Sequence, residues 1–408
     1  MRILQVCHRF VPSRGGVEVH VSKVARELVK MGHDVDVLTT TSLAGCKDSI
    51  GLTLYDPSPS VSFSYDTHGL PFISQSEGYR VIRCPNYLQI FSYMITPKML
   101  TFLLTYAKNY DVVHCHTFRF TSVDFTAFAS WLRKFPAVMT AHSPIFLDYY
   151  GKFGRLLDTL YHKTVVPSIF RQMRYVIALT PDNKLEYIRA GVPEWKIRVI
   201  PNGVDFDEFQ SIGQRHIALR KLLENFENII LYIGRFTQQK CPDRLIQAMP
   251  YILKDFPKTH LLMVGKDTGM LTYCKTLASR LRVSRYVTFI EDADWETVKA
   301  SYSIADFCVF PSFYEGFNLT ALEAQACGKP IVATYAGGLK HIVKHNYNGI
   351  HIHSSNASDI ARACMFLLGD PMLRKRLGEN ARDFARKHSW KAVAEKLVKV
   401  YCEAKESC

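Results

Sequence analysis

The chain has 408 residues, of which 48% are hydrophobic and 22% are charged, so it is long enough for two or three domains of about 150 residues with apolar cores. These proportions exclude a mainly disordered, fibrous or coiled-coil protein. The 51 lysines and arginines exceed the 37 aspartates and glutamates, giving a net charge of +14, which favours anionic partners: nucleic acid, an acidic membrane or a phosphorylated small molecule.

The sequence predicts no membrane span, no secretory signal and no disulfide framework. Its apolar runs are strand-length, and Met1 is followed at once by a strand-like segment rather than by a basic and then apolar leader. The 11 cysteines are odd in number and lack CxxC pairs, which indicates reduced thiols. We therefore expect a cytoplasmic protein.

The first half of the chain predicts a parallel α/β domain. Residues 2–7 and 35–40 are short β-rich runs, and the stretch between them carries apolar residues at helical spacing, a βαβ pattern. Further strand-like runs lie at 79–83, 111–116, 137–140 and 175–179. Residues 41–75, rich in Ser, Gly and Pro, are expected to form a long loop.

A second α/β series begins at Asn228 and predicts another sheet. Its apolar runs lie at 228–234, 260–265, 286–290 and 305–311, and the chain beyond residue 356 reads as helix, with Ser389 as the cap of the last one. The interval 205–227 is the candidate linker. The predicted domains are residues 1–205, residues 206–388 and a terminal helix, 389–408, that packs back on the first domain.

The stretch from Phe310 to Thr334 is the strongest local signal. It contains, in order, a buried strand, a polar turn with Glu315, and a helix that starts near Leu319 and carries Glu323. The first turn of such a helix has backbone N–H groups free to bind a phosphate or sugar oxygen. Taken alone, the two glutamates are better explained as a loop charge and an ordinary helix residue, because charged side chains usually just face solvent.

Four motifs in order carry a family resemblance. The chain resembles the retaining glycosyltransferases of family four at these motifs. They are EGFNLTALEA, with its E-x7-E spacing and with GKPIVAT after it, GGVEVHVSKVARELVKMGHDVDVLTT, PNGVD and GRFTQQKCPDRLIQA. The resemblance covers most of the chain. It implies a GT-B fold, in which two Rossmann-like domains face each other across a cleft, and C-terminal helices. It also implies a UDP- or GDP-linked sugar donor, retention of configuration, and no metal or other cofactor.

The resemblance implies roles for residues of the second domain. Glu315 would contact the donor sugar near the reacting carbon, and Glu323 would hold the ribose hydroxyls. Arg235 and Lys240 would clamp the diphosphate; cations there stabilise a leaving phosphate, although surface charges beside a helix start explain them equally well from sequence alone. The remaining donor contacts are expected from the turn and helix start, namely Gly316, Phe317, Asn318, Leu319 and Thr320.

Three residues of the first domain complete the implied site. Gly15 and Gly16 would let the backbone approach the donor closely, although a tight turn explains them as well. His142, after the strand at 137–140, would contact hydroxyls of the donor sugar. His114 and His116 share one side of a strand, and we predict no metal site there.

The acceptor side is less defined. Residues 133–174 combine excess basic charge with interleaved aromatic residues, which fits either a surface resting on anionic lipid or a solvated helix beside a packed core. The acceptor is expected to be a sugar or a lipid-linked or glycolipid molecule bound by loops at 41–75 and 145–165, in glycan assembly. The GGLKHIV and EDADWE segments depart from the family pattern, so no nucleotide base is inferred.

Two other classes of function stay open at this point. One is a non-catalytic basic protein that binds a membrane or nucleic acid, with an affinity that falls steeply as salt rises. The other is a phosphorylase or a sugar-nucleotide epimerase on the same fold. No nucleic-acid motif is present, and we expect no nucleic-acid partner.

Overall fold

The structure is a computed structural model. It describes residues 1–13, 15–41, 61–62, 73–90, 93–118, 120–142, 152–210 and 217–406. The chain forms two compact units. The first contains Met1–Asn202 and Trp390–Cys408, and the second contains Gly203–Ser389. The chain passes from one unit to the other twice. Beside these two points, and within the second unit, the backbone N–H of Val204 donates to the carbonyl of His388 (2.7 Å). The last helix therefore belongs to the first unit.

The first unit contains an eight-stranded sheet and a small antiparallel one. Its described strands are β1 (Arg2–Val6), β2 (Asp34–Thr40), β3 (Val61–Ser62), β4 (Ile73–Ser76), β5 (Tyr79–Cys84), β6 (Leu88–Ile90), β7 (Tyr93–Ile95), β8 (Val112–His116), β9 (Ala137–Thr140), β10 (Tyr175–Ala178) and β11 (Ile197–Val199). The large sheet has the order β11-β10-β9-β8-β1-β2-β5-β4, and only β4 runs antiparallel to its neighbour. The predicted strands are confirmed, whereas β3, β4, β6, β7 and β11 were not predicted.

The helices of the first unit flank this sheet. They are α1 (Gly16–Lys30), α2 (Pro97–Tyr106), α3 (Thr121–Arg133), α4 (Lys152–Gln172), α5 (Pro181–Arg189) and, from the chain end, α15 (Trp390–Glu406). Because helices cover a parallel sheet, its central strands are buried on both faces, and every residue of β8 is buried. Two histidines, His114 and His116, therefore lie inside the core.

The second unit is built on a six-stranded parallel sheet. Its elements are α6 (Phe206–Gln210), α7 (Ile217–Leu222), β12 (Asn228–Ile233), α8 (Pro242–Asp255), β13 (Thr259–Gly265), α9 (Leu271–Arg280), β14 (Val287–Glu291), α10 (Trp295–Ile304), β15 (Phe307–Phe310), α11 (Leu319–Ala326), β16 (Ile331–Thr334), α12 (Leu339–Ile342), β17 (Gly349–Ile352), α13 (Ala357–Gly369) and α14 (Pro371–Arg386). The predicted second sheet and the helices beyond residue 356 are confirmed.

Strand order locates the ligand-binding edge of each sheet. In the second unit the order is β14-β13-β12-β15-β16-β17, so the direction of chain progression reverses between β12 and β15. In the first unit the reversal lies between β1 and β8. Ligands of open parallel sheets bind outside the carboxyl ends of the strands at such a reversal. The segments after these four strands are therefore where functional side chains are expected.

Two sequence predictions about the first unit need correction. The loop predicted at 41–75 is wrong in two places: β3 (Val61–Ser62) pairs with β6, and β4 (Ile73–Ser76) pairs with β5 as a hairpin. Residues 42–60 and 63–72 lie outside the described residues, as do 143–151. Within 133–174, Phe135 and Phe170 are buried in the hydrophobic core, so they cannot enter a membrane. Among the described residues, no helix combines the length and the apolar character needed to cross a bilayer.

Candidate active site

Glu315 is the centre of a buried polar cluster in the second unit. It lies in the turn between β15 and α11, and only 3% of it is exposed. Its carboxylate accepts hydrogen bonds from Lys240 Nζ (2.6 and 2.8 Å), Ser312 Oγ (2.6 Å) and Asn318 Nδ2 (3.1 Å). A buried carboxylate is costly unless it is paired and hydrogen-bonded, and here both requirements are met.

Lys240 reaches Glu315 because hydrogen bonds join the turn after β12 to the turn after β15. Lys240 ends a short 3-10 turn after β12, and β12 is the parallel neighbour of β15. The backbone N–H of Phe313 donates to the carbonyl of Gln239 (2.9 Å), and the Gln239 side chain donates to the carbonyl of Tyr314 (2.9 Å). These two links hold the ammonium of Lys240 against the carboxylate.

Asn318 orients Glu315 and begins α11 at the same time. Its Oδ1 accepts from the backbone N–H of Ala321 (2.9 Å) and from Thr320 Oγ1 (2.7 Å), an N-cap arrangement, so its Nδ2 is left to face Glu315. The sequence assigns Asn318 only a backbone contact with the donor. Its side-chain role was missed, although an asparagine directly before a helix start is a recognisable signal.

A third segment, Gly337 and Gly338, packs against the backbone of the Glu315 turn. The backbone N–H of Gly338 donates to the carbonyl of Glu315 (2.7 Å). Gly337 has a φ of +48°, and a Cβ on it would lie 2.0 Å from the same carbonyl oxygen. This close approach requires glycine. The sequence gives GGLKHIV as a departure from the family pattern and does not show that its two glycines hold Glu315.

Glu323 has a separate partner, Tyr302. The Tyr302 hydroxyl donates to Glu323 Oε2 (2.9 Å) and to the carbonyl of Thr320 (3.1 Å). Burial, followed by the charge of Glu323, raises the pKa of Tyr302 well above its ordinary value, so this hydroxyl keeps its proton and stays a donor. Tyr302 fixes the direction of the Glu323 carboxylate and was not identified from the sequence.

The other predicted residues of the second unit lie at the same edge of the sheet. Arg235 follows β12 with an exposed side chain, and its carbonyl accepts from the Tyr232 hydroxyl (2.8 Å). The turn before α11 contributes Gly316 and Phe317, and the helix starts with Leu319 and Thr320. The structure therefore brings Arg235, Lys240, both glutamates and the α11 N-terminus to the reversal point of one sheet.

The three predicted residues of the first unit lie at the reversal point of the other sheet. Gly15 caps α1, and Gly16 is its first residue. His142 follows β9, half-buried, with its Nε2 3.1 Å from Nδ1 of His116. Since these residues belong to the other unit, their contact with the donor stays a prediction.

Comparison with known proteins identifies the family and the fold of the chain. Residues 14–208 match the family Glycosyltransferase Family 4, and residues 216–384 match Glycosyl transferases group 1. An uncharacterized glycosyltransferase of Methanocaldococcus jannaschii is 30% identical over 100% of this chain and 99% of its own. The D-inositol 3-phosphate glycosyltransferase of Corynebacterium jeikeium is 30% identical, over 95% and 92%. The Anabaena protein HepE, solved with UDP-glucose, superposes with a TM-score of 0.74 at 20% identity, over 99% and 100%.

Proposed function

Because the chain belongs to the glycosyltransferases of group 1 and family 4, with the GT-B fold, we propose that it moves a sugar from a nucleoside-diphosphate donor to an acceptor hydroxyl with retention of configuration. The observation that carries this proposal is the buried Lys240–Glu315 pair at the reversal point of the second sheet. It joins a cation and a carboxylate where an anionic ligand of such a sheet binds.

The proposed donor is a UDP- or GDP-linked sugar. The structurally similar HepE was solved with UDP-glucose, which supports a nucleotide-sugar donor. In this chain the N-terminus of α11 offers backbone N–H groups for phosphate oxygens, and Arg235 and Lys240 lie at the same edge. Glu323, oriented by Tyr302, would accept hydrogen bonds from the ribose hydroxyls.

The proposed step breaks the bond between the anomeric carbon and the phosphate oxygen, and both electrons leave with the diphosphate. The acceptor oxygen forms its bond to that carbon on the same face, and its proton passes to the leaving phosphate. Lys240 and Arg235 would stabilise the negative charge that develops on the diphosphate, and Glu315 the positive charge on the sugar. These cations lead us to propose that the transfer needs no metal ion.

Release of UDP or GDP from a panel of nucleotide sugars tests the proposal. The assay is run with and without a lipid extract as acceptor, with inorganic phosphate, and with a chelator. We expect one nucleotide to be released only with acceptor, and release to be unchanged by the chelator. Phosphate-dependent release would instead identify a phosphorylase, and conversion of the donor without acceptor an epimerase; either result overturns the proposal. The product anomer, read by NMR, tests retention.

We also propose a cytoplasmic enzyme that rests on an anionic membrane and uses a sugar or a lipid-linked or glycolipid acceptor in glycan assembly. The nine cysteines of the described residues are free thiols, which supports a reducing compartment. Exposed apolar side chains that would fit a lipid surface lie on α3, directly before the 133–174 segment. Phe128, Trp131 and Leu132 are 48%, 51% and 53% exposed, and Arg133 and Lys134 follow them.

Sedimentation with vesicles tests the membrane surface. Trp131→Ser is expected to weaken binding to vesicles rich in anionic lipid several-fold, because it removes the largest exposed apolar side chain of that patch. Trp195, at 66% exposed and in the same unit, provides the matched control variant Trp195→Ser, which should bind as the wild type does. Equal loss in both variants, or no binding by the wild type, would contradict the proposal.

A further inference from the structure

Three histidines of the first unit converge on one point. His20 comes from α1, His116 ends β8, and His142 follows β9. One ring nitrogen of each lies within 4.8 Å of a ring nitrogen of both others. The cluster sits at the reversal point of the sheet, and within the described part of the chain no other group of histidine, cysteine or carboxylate side chains has this arrangement.

Two side-chain amides determine which nitrogens of the cluster can bind an ion. Asn202 Oδ1 lies 2.8 Å from His20 Nδ1, and Gln5 Oε1 lies 2.7 Å from His116 Nε2. An amide oxygen only accepts, so these two ring nitrogens carry the protons. The lone pairs are therefore on Nε2 of His20 and Nδ1 of His116. Metal-binding histidines characteristically donate their other N–H to such an oxygen.

The Nε2 of His20 strengthens this interpretation. It is buried and has no hydrogen-bond partner among the described residues, although leaving a buried polar atom without a partner is unfavourable. Burial lowers the pKa of His20 to about 4, and it also lowers those of His116 and His142 well below their ordinary value. The three imidazoles are therefore neutral near pH 7, the form that binds metal ions.

The surrounding hydrogen bonds hold Gln5 in the required orientation. Gln5 Nε2 donates to the Tyr401 hydroxyl (3.2 Å), and that hydroxyl is hydrogen-bonded to His114 Nδ1 (2.6 Å). His114 Nε2 in turn lies 2.8 Å from Thr140 Oγ1. Tyr401 of α15 thus orients the Gln5 side-chain amide, and this amide in turn orients His116. The sequence suggests none of this, because Gln5 and Tyr401 are separated by 396 positions.

We propose that His20, His116 and His142 form a binding site for a divalent transition-metal ion of the zinc class, with water as the fourth ligand. A tetrahedral ion with Zn–N bonds of about 2.0–2.1 Å places its nitrogens about 3.3 Å apart. His116 Nδ1 and His142 Nε2 are already 3.1 Å apart, and the ion replaces the proton between them when that proton moves to Nδ1 of His142. A ring nitrogen of His20 lies within 4.8 Å of both other histidines, so closing the third position shortens these distances by about 1.5 Å at most.

The ion would act on the enzyme as an inhibitor, a consequence that rests on the proposed function. His142 is the predicted contact with the donor sugar, and a metal on its Nε2 removes that side chain from the donor. Added zinc is therefore expected to lower turnover, and a chelator to restore the zinc-free rate, although no metal is proposed for the transfer itself.

Equilibrium dialysis with Zn²⁺ and the absorption spectrum of Co²⁺ test the site without any substrate. We expect one equivalent of ion per chain in the wild type. Affinity should fall at least 100-fold in His20→Ala and His142→Ala, and about 10–100-fold in Asn202→Ala, which removes the amide behind His20. His353→Ala, at an exposed histidine of the second unit, is the matched control and should bind as the wild type does.

Two outcomes would overturn the site. One is the absence of stoichiometric binding by the wild type; the other is binding that folded His20→Ala and His142→Ala retain. Circular dichroism confirms folding, and the half-buried position of His142 makes its variant the milder one. A thiolate charge-transfer band in the Co²⁺ spectrum would assign the ion to cysteines and count against the proposal. Loss of zinc inhibition in His20→Ala, with inhibition kept in His353→Ala, tests the inhibitory consequence separately from binding.

Discussion

Glu315→Gln is expected to lower turnover of the nucleotide sugar by about 10²–10³-fold, the usual effect of removing one electrostatic stabiliser of a transition state. The substitution keeps the shape of the side chain, and its amide oxygen still accepts from Ser312 and Asn318. It removes the negative charge that is proposed to stabilise the sugar, and it places the amide NH2 opposite the Lys240 ammonium, which bonds Oε2 in the wild type. Steady-state kinetics with the donor that the nucleotide-sugar panel identifies measures the loss, which should appear in kcat.

The same variant disturbs an ion pair, so activity has to be separated from stability. The side chains of Lys240 and Glu315 are 16% and 4% exposed, and removing one partner of a buried pair costs about 3–5 kcal/mol because the other charge is left uncompensated. Lys240→Met should therefore lower the free energy of unfolding by an amount in this range. Glu315→Gln should cost less, because the Lys240 ammonium is more accessible to water.

The double variant Glu315→Gln/Lys240→Met distinguishes the two effects. With both charges removed, the free energy of unfolding should recover relative to Lys240→Met, while turnover stays as low as in the poorer single variant. The exposed pair Lys258–Glu227 provides the control, since Lys258→Met should change neither stability nor turnover measurably. Turnover that recovers along with stability in the double variant would show that the pair is structural and would contradict a catalytic role for Glu315.

The sequence predicted the elements better than the contacts between them. Strands with continuous apolar runs and the start of α11 are local patterns, and each lies where expected. The E-x7-E spacing also singled out both glutamates, whose roles in the reaction stay a prediction. However, Lys240 and Glu315 are 75 positions apart, and their pairing depends on β12 and β15 being neighbours, which is a property of strand order.

The histidine cluster shows even more clearly that contacts between residues far apart in the chain cannot be predicted from local sequence. His20 and Asn202 are 182 positions apart, and nothing in their local sequence links them. His114 and His116 were correctly placed on one side of a strand, but the partners that give them a chemical role come from α1, β1 and α15. Buried polar networks of this kind become visible only when the packing of the whole unit is known.

Gly337→Ala is expected to be the most disruptive small substitution in the second unit. Its Cβ would lie 2.0 Å from the carbonyl oxygen of Glu315 and 2.9 and 3.0 Å from two further backbone atoms of that residue. None of these is a flexible side chain, so the Glu315 turn itself must move, and the hydrogen bond from Gly338 to that oxygen is lost. A displacement of about 1 Å in a catalytic group costs about 10²-fold in rate, so turnover should fall by at least this factor.

Gly32→Ala is the matched control for Gly337→Ala. Gly32 also has a positive φ, +81°, but a Cβ there would meet no atom within 4 Å. Both variants carry the cost of a left-handed alanine, about 1–2 kcal/mol. Gly32→Ala should therefore lower Tm by a few degrees and leave kcat unchanged, whereas Gly337→Ala should lower both. Equal kcat in the two folded variants would mean that the position of the Glu315 backbone does not control the reaction, and the proposed catalytic role of that turn would then be wrong.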